Sequence, residues 1–145
     1  MSAPGLKLRA ADAADLEILS ACLQDALLPV ADLHFDAGAG EFLAVANRFR
    51  WEAPDARERV HMALRIRHVT GVQRKGFDLT ERGRFLSALT LTHTPGGPLV
   101  LLCAGQPDAA IRFTVSSLDI LAEDFGDPWP CASVPTHADS GKGAV

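Results

Sequence analysis

At 145 residues, 48% hydrophobic and 22% charged, the chain has the composition of an ordinary globular protein, which excludes a wholly disordered one. A chain this long buries roughly 68–70% of its unfolded surface, so no metal or disulfide framework is needed to hold it together. The net charge of −4 is uneven, because residues 48–84 carry ten basic and five acidic side chains between acidic flanks. Eleven of the fourteen basic residues are arginines, whose planar fork suits carboxylate or phosphate.

The longest apolar runs, such as Leu99–Ala104, fall far short of the ~20 residues of a membrane-spanning helix. Met1-Ser2-Ala3-Pro4-Gly5 lacks the charged start and apolar stretch of a secretory signal, which predicts a cytoplasmic protein. Cys22, Cys103 and Cys131 are odd in number and widely spaced, which argues against a disulfide set and against a zinc site. Cys22 and Cys103 lie in apolar patterns and read as small buried hydrophobes.

Leu6–Arg9 alternates as a short strand. Asp12 then caps a helix with Leu16, Leu19, Leu23 and Leu27 at helical spacing, stopped by Pro29. Ala31, Leu33 and Phe35 alternate with Asp32, His34 and Asp36, and a glycine-rich turn at 36–40 leads into a strand from Phe42 to Trp51. On it, Leu43, Val45, Phe49 and Trp51 share one side; Phe42, Ala44, Arg48 and Arg50 share the other. Val60, Met62, Leu64 and Ile66 make the clearest amphipathic strand, and Val72–Lys75 a short one beyond Gly71. Phe85–Thr94, Leu99–Ala104 and Ile111–Val115 are further strands, the first two joined by Pro95-Gly96-Gly97-Pro98. Leu118, Leu121, Ala122 and Phe125, between Ser116-Ser117 and Gly126, read as a second helix. Beyond Cys131 the pattern lapses, predicting one domain over 1–130 and a disordered tail over 131–145.

These elements predict an α+β class: an N-terminal helix, about seven antiparallel strands in a curved sheet or partly open barrel, and a C-terminal capping helix. The order of strands followed by a helix resembles the pleckstrin-homology-like barrel. Four segments carry a second resemblance: Leu19–Ala26, Asn47-Arg48-Phe49-Arg50-Trp51-Glu52, Phe85–Thr94 with its turn, and Ala110-Ile111-Arg112-Phe113. Together they resemble a family of small bacterial proteins catalogued as a domain of unknown function, over most of residues 6–130. The resemblance implies a single-domain cytoplasmic protein and assigns no catalytic residue or cofactor.

Arg48 and Arg50 share a strand face that Arg65 and Arg67 extend from the next strand, supported by Phe49 and Trp51. Such a row suits an acidic protein segment or another anion, by homo-oligomerisation or with a separate partner. Its interleaved aromatics allow a single-stranded RNA reading, which the acidic net charge disfavours. The bland reading pairs each arginine with a neighbouring carboxylate. Asp32, His34 and Asp36 are poor metal ligands together, since i and i+4 on a strand lie ~13 Å apart. None of the histidines (34, 61, 68, 93, 137) sits in a catalytic motif. Cys103 and His93 flank one turn, but a thiolate nucleophile needs a polar setting. A strand followed by Asp12-x-x-Asp15-Leu16 and a helix resembles the opening of acyl-coenzyme A-dependent acetyltransferases. The glycine-rich pyrophosphate turn they require is missing at 71–76. The sequence therefore predicts a binding domain without catalytic residues, metal or cofactor.

Overall fold

The computed structural model describes residues 5–105 and 107–131. The predicted tail, apart from Cys131, lies outside the described residues. Strand β1 (Lys7–Ala10) precedes helix α1 (Ala13–Leu23). Then come β2 (Leu27–Pro29), a 3-10 turn, β3 (His34–Asp36), β4 (Glu41–Phe49), a second 3-10 turn and β5 (Glu58–Ile66). The chain closes with β6 (Val69–Lys75), β7 (Phe85–His93), β8 (Leu99–Ala104), β9 (Ala109–Val115) and β10 (Ile120–Pro130).

All ten strands join one antiparallel sheet in the order β1-β10-β5-β4-β2-β7-β8-β9-β6, with β3 added beside β4. The sheet folds across itself, because Phe42 of β4 meets Phe113 of β9 edge to face at 4.8 Å. One apolar core fills the space between the halves. Leu64, Ile66, Ile120 and Ala122 come from one side, and Leu91, Leu99, Leu101 and Ile111 from the other.

Helix α1 begins as its sequence dictates: the Asp12 carboxylate accepts from the Asp15 amide at 2.8 Å. It buries Leu16, Leu19 and Leu23, and packs on β7 and β1. It ends six residues before Pro29. Asp25 adopts a left-handed φ of 63° and donates its backbone N–H to Ala88 O of β7, while Ala88 N donates back to Ala26 O. The sheet thus recruits 27–29 as the strand bridging β4 and β7.

The expected C-terminal helix is a strand. Residues 120–125 pair with β5 and residues 120–123 with β1, so the analogy to the pleckstrin-homology-like barrel lapses with its helix. Ile120 and Ala122 are buried while Leu121, Glu123 and Phe125 face outward. Because Leu121 and Phe125 are apolar too, the period of two is hidden and a helical stripe emerges by coincidence. Gly126, at φ 72°, serves the register shift between Phe125 and Trp129 rather than a helix end.

Gly76 ends β6 with φ 86°, and a Cβ there would lie 2.1 Å from the Asp108 carbonyl oxygen. Arg84 clamps the same corner, donating to Gly76 O at 2.8 Å and Pro107 O at 2.9 Å. Gly76→Ala is expected to cost about 1–2 kcal/mol for the left-handed backbone, with a further loss from the displaced β8–β9 turn. Gly83→Ala, where a Cβ meets nothing within 4 Å, is the matched control. Differential scanning calorimetry should show a clear drop in Tm for the first and none for the second.

Candidate binding surface

The four arginines singled out in the sequence do not form one outward row. Arg48 is wholly buried (0% exposed) on the inner side of β4, behind Phe42, Ala44 and Ala46. Its Nε and Nη2 donate to the two Asp124 oxygens at 2.9 and 2.6 Å. Nη1 and Nη2 also donate to Glu52 at 3.0 and 2.7 Å, and Nη1 to Phe49 O at 3.2 Å. Asp124 in turn accepts from the Leu6 amide, so this cluster ties β4 and β10 to the chain before β1. Burial alone would make the Arg48 charge harder to hold. The hydrogen bonds to Asp124 and Glu52 outweigh it and raise the pKa above the usual arginine value. Arg48 in return holds the Glu52 carboxyl below its ordinary range.

The other three are also answered by carboxylates. Arg50 pairs with Glu58 and lies 3.8 Å from Glu52. Arg65 is exposed but reaches Glu41 at 3.8 Å. Arg67 lies 3.2 Å from Asp119 and 3.9 Å from Glu41. Asp119, itself buried, is a second hub that also holds Arg9 at 3.0 Å and faces His68 at 3.6 Å. The expected recognition row is therefore a set of internal ion pairs. Phe49 is buried and meets the half-buried Trp51 edge to face at 4.7 Å, so neither is presented for base stacking.

The remaining candidates are dispersed. His34 and Asp36 are exposed on β3, while Asp32 sits in the preceding 3-10 turn. Among the described residues no three His, Cys, Asp or Glu side chains are gathered closely enough for a metal ion. His61 is held by Asn47 at 2.6 Å and packs on Phe125 and Trp129. Cys103 is buried opposite Ala88, while His93 lies opposite Leu99 at the far end of the hairpin. Burial pushes the Cys103 thiol up to about 12, so it is protonated and unreactive at neutral pH. A cleft of about 850 Å³ between α1 and the β7–β8 hairpin is lined by Asp12, Glu17, Thr90, Thr92 and His93. The nearby Ser20 hydroxyl is committed to the Leu91 amide.

The cations that sequence reasoning passed over are Arg74, Lys75 and Arg112. Strand pairing sets Gln73 beside Arg112 and Lys75 beside Ala110, which puts Lys75 and Arg112 on one face of the β6–β9 pair, while Arg74, set beside the buried Ile111, starts from the opposite face. They are exposed, and among the described residues none of their side chains makes an ion pair within 4 Å or a hydrogen bond, although Asp78, whose carboxyl is lowered chiefly by its hydrogen bonds to Thr80, also feels the Arg74 charge. They line a broad concavity of about 970 Å³ with Val72, Phe77 and Val100, and no Asp or Glu contributes to it. A smaller groove of about 200 Å³ adjoins it, sharing Val72, Arg74 and Phe77 and adding Leu33, Phe35 and Leu79. The signal in the sequence was the Arg74-Lys75 pair, 37 residues before Arg112. Only the β6–β9 register unites them.

No curated protein and no solved structure matches the chain. The family model for a protein of unknown function, DUF2948, matches residues 6–137. Covering most of the chain, that match establishes that the protein belongs to the DUF2948 family.

Proposed function

We propose that the protein is a non-catalytic binding domain whose β6–β9 face recognises an acidic segment of a partner protein. One observation carries this reading: among the described residues, three cations that form no ion pair within 4 Å line a concavity to which no Asp or Glu contributes. They do so in a chain of net charge −4 whose other singled-out arginines are all internally paired. Leaving three like charges together costs repulsion that an anionic partner relieves. The recognition surface is thus moved from Arg48, Arg50, Arg65 and Arg67 to Arg74, Lys75 and Arg112.

The alternatives have less to stand on. An acyl-coenzyme A enzyme needs a helix start after a glycine-rich turn, and residues 76–84 run directly into β7. A single-stranded RNA module needs several stacking aromatics, and among the described residues Phe77 is the one aromatic lining this concavity.

The test is fluorescence anisotropy with a labelled nine-residue peptide of alternating glutamate and valine. Binding should weaken at least tenfold in Arg74→Glu/Lys75→Glu/Arg112→Glu and fall with added salt. Arg65→Glu should leave it unchanged. Equal binding by the triple variant and the wild type overturns the reading. Tighter, salt-sensitive binding of a mixed-sequence RNA oligomer at the same three residues reassigns the face to nucleic acid.

A further inference from the structure

We infer that the acidic segment binds by strand addition along the open edge of β6, seating an apolar side chain in the groove between β3 and β6. The inference rests on the reading above and specifies the conformation the partner adopts.

The observations are geometric. β6 stands at one end of the strand order and has β9 as its one strand partner. At its start the other side is covered, where Val69 N donates to Gly40 O of the β3–β4 turn; beyond it, alternate backbone N–H and C=O groups have no neighbouring strand among the described residues. The remaining stretch, from Thr70 to Lys75, is long enough to template a short partner strand. The opposite terminal strand, β1, has four residues and lies against α1. Beside the open edge of β6 lies an apolar groove formed by Leu33, Phe35, Phe77 and Leu79, with Arg74 at its rim. Leu79 is 48% exposed there, a large apolar side chain held in water.

Charge chooses the occupant. Cations on an edge strand discourage pairing with another copy of the same edge, because β6 carries no carboxylate to answer them. A second copy would add another Arg74-Lys75 pair to the seam. A foreign strand with glutamate or aspartate on one face and valine or leucine on the other satisfies the backbone, the cations and the groove together. Edge protection alone accounts for the charges and leaves the adjoining apolar groove unexplained.

The experiment uses the full chain and three peptides of identical charge: the alternating glutamate–valine nonamer and two versions carrying backbone N-methyl groups, one at odd and one at even positions. In strand addition only alternate amides face the template. One methylated peptide should therefore bind at least tenfold more weakly, while the other keeps the parent affinity. Leu79→Ser should weaken the parent peptide several-fold, and amide exchange in β6 should slow when it binds. Equal binding of all three, still dependent on Arg74, Lys75 and Arg112, overturns strand addition and keeps the charge reading. No binding of any peptide overturns both. A dimer by sedimentation, with β6 amides already protected before peptide is added, also overturns the inference, because a second copy then occupies the edge.

Discussion

Arg48→Ala is expected to destabilise the protein by about 3–5 kcal/mol, the cost of breaking a buried ion pair from one side. The guanidinium is wholly enclosed, and the Asp124 side chain is 4% exposed. Its removal leaves the buried Asp124 carboxylate without the counter-ion it shares with Glu52, and with the Leu6 amide as its remaining side-chain hydrogen-bond donor among the described residues. Against a typical total of about 5–15 kcal/mol, such a loss leaves a marginal fold. Urea denaturation should show the midpoint falling with little change in slope. Arg48→Met with Asp124→Asn should recover a large part of the loss, because the buried charge goes and the amide oxygen still accepts from Leu6. A double variant no better than Arg48→Ala would contradict this account.

The same cluster sets an acid limit. The Arg48 hydrogen bond holds the Glu52 pKa below its ordinary 4.5 in the folded chain. The unfolded chain therefore binds the proton first, and the resulting stability is present above about pH 4.5 and lost as the pH falls through the folded value. In Arg48→Ala that component should shrink, since Arg50 and a backbone hydrogen bond still favour the Glu52 carboxylate, flattening the acid side of the stability profile.

Phe113→Ala is expected to cost about 3–5 kcal/mol, as for other buried phenylalanines. The ring has no exposed surface, and its contact with Phe42 joins the two halves of the folded-over sheet. Truncation removes apolar area, leaves a void between β4 and β9, and deletes an aromatic pair worth about 0.5–1.5 kcal/mol beyond its area. Phe113→Leu keeps much of the volume and should cost clearly less. Equal losses for the two variants would show that filling the space is not what Phe113 contributes. A transition resolved into two steps for Phe113→Ala would show that the halves unfold apart.

Where one periodicity dominated, the strands were legible. Val60, Met62, Leu64 and Ile66 are all buried as their alternation requires, and Leu99–Ala104 is a strand with the expected limits. Asp12 caps α1 as its side chain dictates. Reading failed where both faces of a segment are apolar. In β4, Leu43 and Val45 compete with Phe42, Ala44 and Ala46. The inward side is the one carrying Arg48, whose burial depends on the distant Asp124 together with Glu52. In β10 the same double-sided apolarity imitated a helix. The binding face was hidden for a different reason: Arg74, Lys75 and Arg112 belong to strands joined through long-range register, which local pattern does not contain.

The placement of β10 has a consequence for how the molecule is made. The last strand of the sheet inserts between the first strand and β5, so residues 120–130 complete a layer begun more than a hundred residues earlier. Contacts this distant along the chain slow folding. On the ribosome, the nascent chain carries β5 with a bare nine-residue edge until β10 has emerged. Arg48 has Glu52 four residues away from the start, but its second counter-ion, Asp124, arrives only with β10.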